Sequence, residues 1–284
     1  MKILQISEDL PPAILGGSGR IAWEVSLALQ ASGHEVTILT CAKPGAFPAT
    51  QNGVRISSIP PRALRWAHYR SVFSKSRERE VTRIIDDIRP DLIHAHGIAW
   101  QAGYRWIAHA KRLGIPCVYT MHGVMPLSYG KVTGDERALW WMDFKRMRWE
   151  MNPLRNPLVK QALRQCDTIL CVSDALRTYV ERKGYAGCVT LHNGIDLSFW
   201  KAAVSRAEAR KQLALSPDQP LFLLAGRIGH SKGSTAVDDV LPIDCGLLVA
   251  GAAELSAFQK SGKRVTYYPN QSPCLLYTSD AADE

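Results

Sequence analysis

Short apolar runs alternate along this chain with longer stretches whose apolar residues recur every three or four positions. Lys2-Ile3-Leu4-Gln5-Ile6-Ser7 opens as a strand, and a loop holding Pro11-Pro12 and three glycines follows. Between Arg20 and Ser32, Ile21, Val25, Ala28 and Leu29 fall at helical spacing, and Gly33 stops the helix. Glu35 to Thr40 is the next strand. This strand, loop, helix, strand piece is the repeating unit of a parallel sheet covered by helices.

The alternation continues with a strand at Val54 to Ile59, a basic helix ending before Pro90, and a strand at Leu92 to Ala95. A helix near Ala99 to Leu113 leads through Gly114 and Pro116 into the strand Cys117 to Thr120. The Trp-rich stretch Asp135 to Gln165 reads as helical but broken by Pro153 and Pro157. Thr168 to Val172 as strand, Asp174 to Lys183 as helix and Val189 to His192 as strand complete one doubly wound domain. Residues 201–219 read as a crossing segment, with a polar helix and the breaker Ser216-Pro217-Asp218. The pattern restarts with strands at Leu221 to Ala225, Leu247 to Ala250 and Arg264 to Tyr268. The predicted fold class is α/β with two Rossmann-like domains, at residues 1–200 and 220–273, the second incomplete.

Composition changes this picture in three places. A length of 284 residues with 46% hydrophobic and 21% charged residues is that of a globular protein with a sizeable core. Glu8 and Asp9 interrupt the first ten residues where a secretory leader needs its apolar stretch, so a cytoplasmic location, with the inner membrane face as the second option, is expected. Seven cysteines show neither C-x-x-C spacing nor a nearby histidine pair, which points to reduced thiols rather than a zinc site.

The formal charge of +9 favours an anionic partner. The excess gathers at Arg62 to Arg79 and Lys145 to Arg164, both interleaved with aromatics such as Trp66, Tyr69, Phe73 and Trp149. Each is either a solvated helix face or an interfacial element that meets an anionic membrane. A nucleic-acid partner is not expected, since no recognisable module accompanies the charge. Residues 274–284 fit no element and resemble translated sequencing adapter, so that tail is expected to be non-native; a disordered tail is the other reading.

Two constellations carry candidate chemistry. Gly17-Ser18-Gly19-Arg20-Ile21-Ala22 formally matches the dinucleotide fingerprint. Nine residues separate Ser7 from Gly17, however, and the second strand closes in Thr40-Cys41 instead of an acidic residue, so neither structural condition of that fingerprint is met. What remains is a glycine-rich helix start whose amides can approach an anion. Ala225-Gly226-Arg227 closes the first strand of the second domain, and Lys232-Gly233 follows it. There Arg227 could grip a diphosphate through paired N–H bonds, and Lys232 could add a mobile charge.

Taken together, Pro11-Pro12 with Gly16-Gly17, Ser32-Gly33-His34-Glu35-Val36-Thr37, Asp91-Leu92-Ile93-His94-Ala95-His96-Gly97, Thr120-Met121-His122-Gly123, His192-Asn193-Gly194-Ile195-Asp196 and Gly226-Arg227 with Lys232-Gly233 resemble family 4 glycosyltransferases. The resemblance covers roughly residues 1 to 270. It implies a GT-B architecture, an acceptor domain followed by a donor domain, a nucleoside-diphosphate-sugar donor, and transfer with retention to a glycan, lipid-linked or small-molecule acceptor. It further implies that Gly16 and Gly17 approach the donor diphosphate, that Arg227 and Lys232 neutralise it, that His122 reaches the transferred sugar, and that Asp9 lines the acceptor side. No metal is expected, because no pair of aspartates sits at D-x-D spacing, and no cofactor is expected beside the nucleoside-diphosphate-sugar as co-substrate. The family's glutamate pair in the second domain is missing: only Glu254 and Glu284 follow Pro220. A sugar-nucleotide epimerase of the same architecture, and a catalytically incomplete anion-binding fragment, are the alternative readings.

Overall fold

The computed structural model describes residues 1–11, 17–128, 152–196, 204–218, 220–225, 246–250 and 265–268. The chain divides into two compact units, Met1–Gly194 and Ile195–Glu284. In the first, β1 (Lys2–Ile6), α1 (Gly17–Ala31), β2 (Glu35–Cys41), β3 (Thr50–Gln51) and β4 (Val54–Ile59) are followed by α2 (Ala67–Phe73), α3 (Lys75–Ile88), β5 (Leu92–Ala95), α4 (Trp106–Arg112) and β6 (Cys117–Met121). Then come α5 (Arg155–Leu163), β7 (Thr168–Cys171), α6 (Asp174–Arg182) and β8 (Cys188–Thr190).

The sheet order is β3-β4-β2-β1-β5-β6-β7-β8, parallel except for the short edge strand β3. Both faces are covered, which is why the strands read as continuous apolar runs instead of alternating ones. Val36 and Ile38 of β2 pack with Ala22 and Trp23 of α1 on one face. Leu39, one residue on, points to the opposite face with Leu4, Ile6, Ile93, Val81, Ile85 and Ile107. Each fully buried Leu or Ile contributes about 1.5–3 kcal/mol relative to exposure. The larger of the two clusters therefore dominates the stability of this unit.

Four sequence expectations need correction. Helix α1 starts at Gly17, not Arg20, so Gly17 and Gly19 belong to its first turn instead of a preceding loop. The basic helix before Pro90 is two helices, because Ser74 takes an extended conformation and accepts from the Arg77 amide, capping α3. The helix expected from Ala99 begins only at Trp106, since residues 100–102 turn their amides toward Glu8. Pro157 does not break α5: it is the third residue, where no intrahelical N–H partner is required.

In the second unit, α7 (Arg206–Gln212) precedes β9 (Leu221–Ala225), β10 (Gly246–Ala250) and β11 (Val265–Tyr268), which pair in parallel in the order β11-β10-β9. Ser205 caps α7 by accepting from the Glu208 amide. Leu213 and Leu248 form its small core with Leu215, Leu221 and Leu223. No helix among the described residues is long and apolar enough to cross a membrane. The described cysteines, Cys41, Cys117, Cys166, Cys171 and Cys188, are free thiols, and burial pushes those of Cys41 and Cys117 up to about 12.

Candidate functional site at the carboxyl edge of the first sheet

Strand β1 lies between β2 and β5. Chain connections therefore run outward in opposite directions from this pair, and the space beyond its carboxyl ends is where open parallel sheets hold ligands. Ser7, Glu8 and Asp9 follow β1, His96 and Gly97 follow β5, and His122 and Gly123 follow β6. Backbone bonds fix these ends: the Ser7 amide donates to the Leu39 carbonyl at 2.9 Å, and the His96 amide to the Ile6 carbonyl at 2.8 Å.

Three histidines join there. His96 Nδ1 lies 3.0 Å from His122 Nε2, and His96 Nε2 lies 3.0 Å from Gln5 Oε1. Gln5 Nε2 is 3.3 Å from His94 Nδ1, and His94 Nε2 is 2.7 Å from Thr120 Oγ1. His96 is fully buried, while His94 and His122 are half-buried. Burial lowers the pKa of His94 and His122 to about 4, with the His122 charge adding to the effect on His94. His96 falls well below 6.5, first from burial and then from its histidine neighbours. All three are neutral at pH 7.

The glycine-rich helix start closes one side. A Cβ placed on Gly19 would lie 2.5 Å from the Asp9 carbonyl oxygen and 2.7 Å from Asp9 Oδ1, so the first turn of α1 presses against the segment leaving β1. A Cβ on Gly97 would meet Ser18 Oγ at 3.5 Å, bringing the ends of β5 and the start of α1 together. Around Gly17, by contrast, a Cβ would meet nothing within 4 Å. Ser7 Oγ donates to the Asp9 carbonyl at 3.0 Å and steadies this bend.

Glu8 points the other way and ties down the loop after β5. Its Oε1 accepts from the amides of Trp100, Gln101 and Ala102 at 2.9, 2.6 and 2.9 Å. Burial of this carboxyl raises its pKa to about 7, against the pull of those three N–H groups.

These shifts set opposite pH trends. The histidines have folded pKa values below the ordinary 6.5, so their contribution is complete above that pH and is lost as pH falls toward about 4. Glu8 is raised from 4.5 to about 7, so its contribution is complete below 4.5 and is lost as pH rises through 7. Between pH 6.5 and 4.5 three histidines oppose one carboxyl. Denaturant midpoints are expected to fall on acidification across that window, and to fall more steeply in Glu8→Gln; a midpoint that rises instead contradicts the neutral cluster.

Of the residues singled out from sequence, the structure brings Gly17, Asp9 and His122 to one sheet edge, linked through Gly19, Ser18, Gly97 and His96. Gly16, Arg227 and Lys232 lie outside the described residues, as do Glu254, Glu284 and the segment 274–284. Sequence reasoning passed over Gln5, Glu8 and Thr120. Gln5 had a visible signal, a polar residue in the middle of an apolar strand.

A doubly wound sheet with a glycine-rich helix start and strand-end histidines at its carboxyl edge defines a Rossmann-like unit, and that edge is its candidate ligand site. The model for Glycosyltransferase Family 4 matches residues 15–199, more than half of the chain, and the chain belongs to that family. The glycogen synthase of Mycobacterium tuberculosis (strain CDC 1551 / Oshkosh) is 25% identical over 254 residues, 82% of this chain and 56% of that protein. The chain thus spans little more than half the length of this curated relative. Among solved structures, sucrose-phosphate synthase from Thermosynechococcus elongatus superposes with a TM-score of 0.72 at 19% identity, covering 98% of this chain and 73% of that one. Anabaena Alr3699/HepE in complex with UDP-glucose gives 0.65 at 14%, covering 99% and 72%. The fold is accordingly that of GT-B glycosyltransferases.

Proposed function

We propose that this protein moves a sugar from a nucleoside-diphosphate-sugar to an acceptor hydroxyl with retention of configuration. The observation that carries the proposal is the joining of His122 to the α1 start at the carboxyl edge of the sheet, in a chain of family 4. A fold neighbour described with UDP-glucose supports the donor class.

In this reading the α1 amides beside Gly17, with Gly16, approach the donor diphosphate. The open space around Gly17 suits such an approach, because protein packing does not require glycine there. Arg227 and Lys232 neutralise the departing diphosphate on the strength of their motif. Asp9 lines the acceptor side, and His122 contacts the transferred sugar. Neither a metal nor a cofactor enters the proposal, and no covalent enzyme nucleophile is assigned. The acceptor is a glycan, a lipid-linked sugar or a small molecule.

A lipid-linked acceptor fits the exposed Leu64 and the row of rings Trp66, Tyr69 and Phe73, of which Trp66 and Phe73 are exposed. Arg65 and Lys75 are exposed beside it, so this face suits peripheral contact with an anionic membrane and a location at its cytoplasmic side. Arg62 and Arg77 do not contribute, being engaged with Glu80.

Incubation with labelled sugar nucleotides tests the proposal. Label in a new glycoside with release of nucleoside diphosphate supports it, whereas an altered free sugar nucleotide supports epimerisation instead. Arg227→Ala is expected to lower turnover more than tenfold, the effect of losing one charge-assisted contact of about 1.5–3 kcal/mol. Unchanged turnover would remove Arg227 from the site.

A further inference from the structure

We infer that Gln5 and His96 are positioning residues which hold His122 as the neutral Nε2–H tautomer, leaving His122 Nδ1 as a bare acceptor for a hydroxyl of the bound sugar. The inference rests on the proposed glycosyl-donor site, and it adds to that reading a direction for the hydrogen bond.

The argument follows the proton positions along the chain of bonds. Gln5 Oε1 can only accept, so His96 Nε2, 3.0 Å away, carries a hydrogen and donates it. A neutral imidazole has one N–H, so His96 Nδ1 is an acceptor. His122 Nε2, 3.0 Å from it, must then be the donor. His122 in turn has its lone pair at Nδ1, which accepts from none of the described residues. The other end of the same amide agrees: Gln5 Nε2 donates to His94 Nδ1 at 3.3 Å, which leaves His94 Nε2–H to donate to Thr120 Oγ1 at 2.7 Å. One buried amide, set in β1 between β2 and β5, thus fixes the tautomers of three rings. A hydroxyl donates to such a site, and an ammonium or amide would compete only by displacing it.

Ring 15N labelling of histidine reads this directly, since the chain has only eight histidines. At pH 7, long-range proton–nitrogen correlations are expected to show His122 protonated at Nε2 and bare at Nδ1. A His122 carrying its proton at Nδ1, or a mixture of tautomers, overturns the inference. Gln5→Leu is expected to release His122 into a mixture. Gln5→Glu still accepts from His96 and is expected to keep the His122 tautomer, while moving the His94 proton to Nδ1. A His122 tautomer that stays unchanged in Gln5→Leu also overturns it. Addition of UDP-glucose as probe is expected to shift His122 Nδ1 in the direction of an accepted hydrogen bond. If the tautomer pattern holds while no sugar nucleotide perturbs Nδ1, the positioning chain stands and the donor reading falls.

Discussion

Gly19→Ala is expected to reduce sugar transfer by about two orders of magnitude, while Gly17→Ala leaves the fold intact. A methyl group on Gly19 would stand 2.5 Å from a backbone carbonyl of Asp9, a separation at which one of the two segments must move. Neither can give way freely: the Ser7 hydroxyl holds the Asp9 carbonyl, and Ala22 and Trp23 lock α1 into the core. The helix start therefore shifts away from the sheet edge by a fraction of its own radius. A displacement on the order of 1 Å at a site that orients its ligand costs roughly 10²-fold. The same methyl at Gly17 meets nothing within 4 Å, so any loss of transfer there reports a crowded ligand rather than a disturbed helix. Turnover and thermal melting of the two variants separate the effects. Equal activity of Gly19→Ala and the parent would show that the contact with Asp9 has no bearing on the site.

The second large effect is expected at His122. Replacing it by Phe keeps a planar ring at the end of β6 but removes both the donor to His96 and the acceptor at Nδ1. Losing a hydrogen bond to a buried or ligand-bound polar partner costs about 1–3 kcal/mol, so turnover should fall about tenfold to hundredfold. His94→Phe offers the contrast. It breaks the bonds to Gln5 and Thr120 and is expected to affect stability more than transfer, because His94 lies one step further back from the edge. An activity loss in His94→Phe as deep as that in His122→Phe would show that the cluster acts only as core.

Much of this arrangement was legible in the sequence. Strands such as Lys2–Ile6 and Glu35–Cys41 announce themselves as short apolar runs because both faces of the parallel sheet are covered there, and a helix with glycines near its start follows β1, three residues earlier than its periodicity suggests. What the sequence concealed depends on contacts far apart along the chain. The stretch from Ala99 reads as helix by periodicity, yet Glu8, more than ninety residues earlier, takes three of its amides and delays the helix to Trp106. Nothing in the run Asp91 to Gly97 separates His94 from His96. Their roles separate only when the sheet registers Gln5 against His94, one residue before Ile6 meets Ala95. Pro157 is read as a breaker from composition alone, and only the start of α5 at Arg155 makes it harmless.

The account turns on whether the sheet edge around His122 and Gly17 serves glycosyl transfer. The most direct measurement incubates the protein expressed from its gene with labelled UDP-, GDP- and ADP-sugars and a range of hydroxyl acceptors, then resolves free sugar, sugar nucleotide and glycoside. The account predicts a glycoside whose anomeric configuration matches the donor, with one nucleoside diphosphate released per bond formed and with the yield cut at least tenfold by His122→Phe. A sugar nucleotide altered in place, or a glycoside yield unaffected by that substitution, would contradict it.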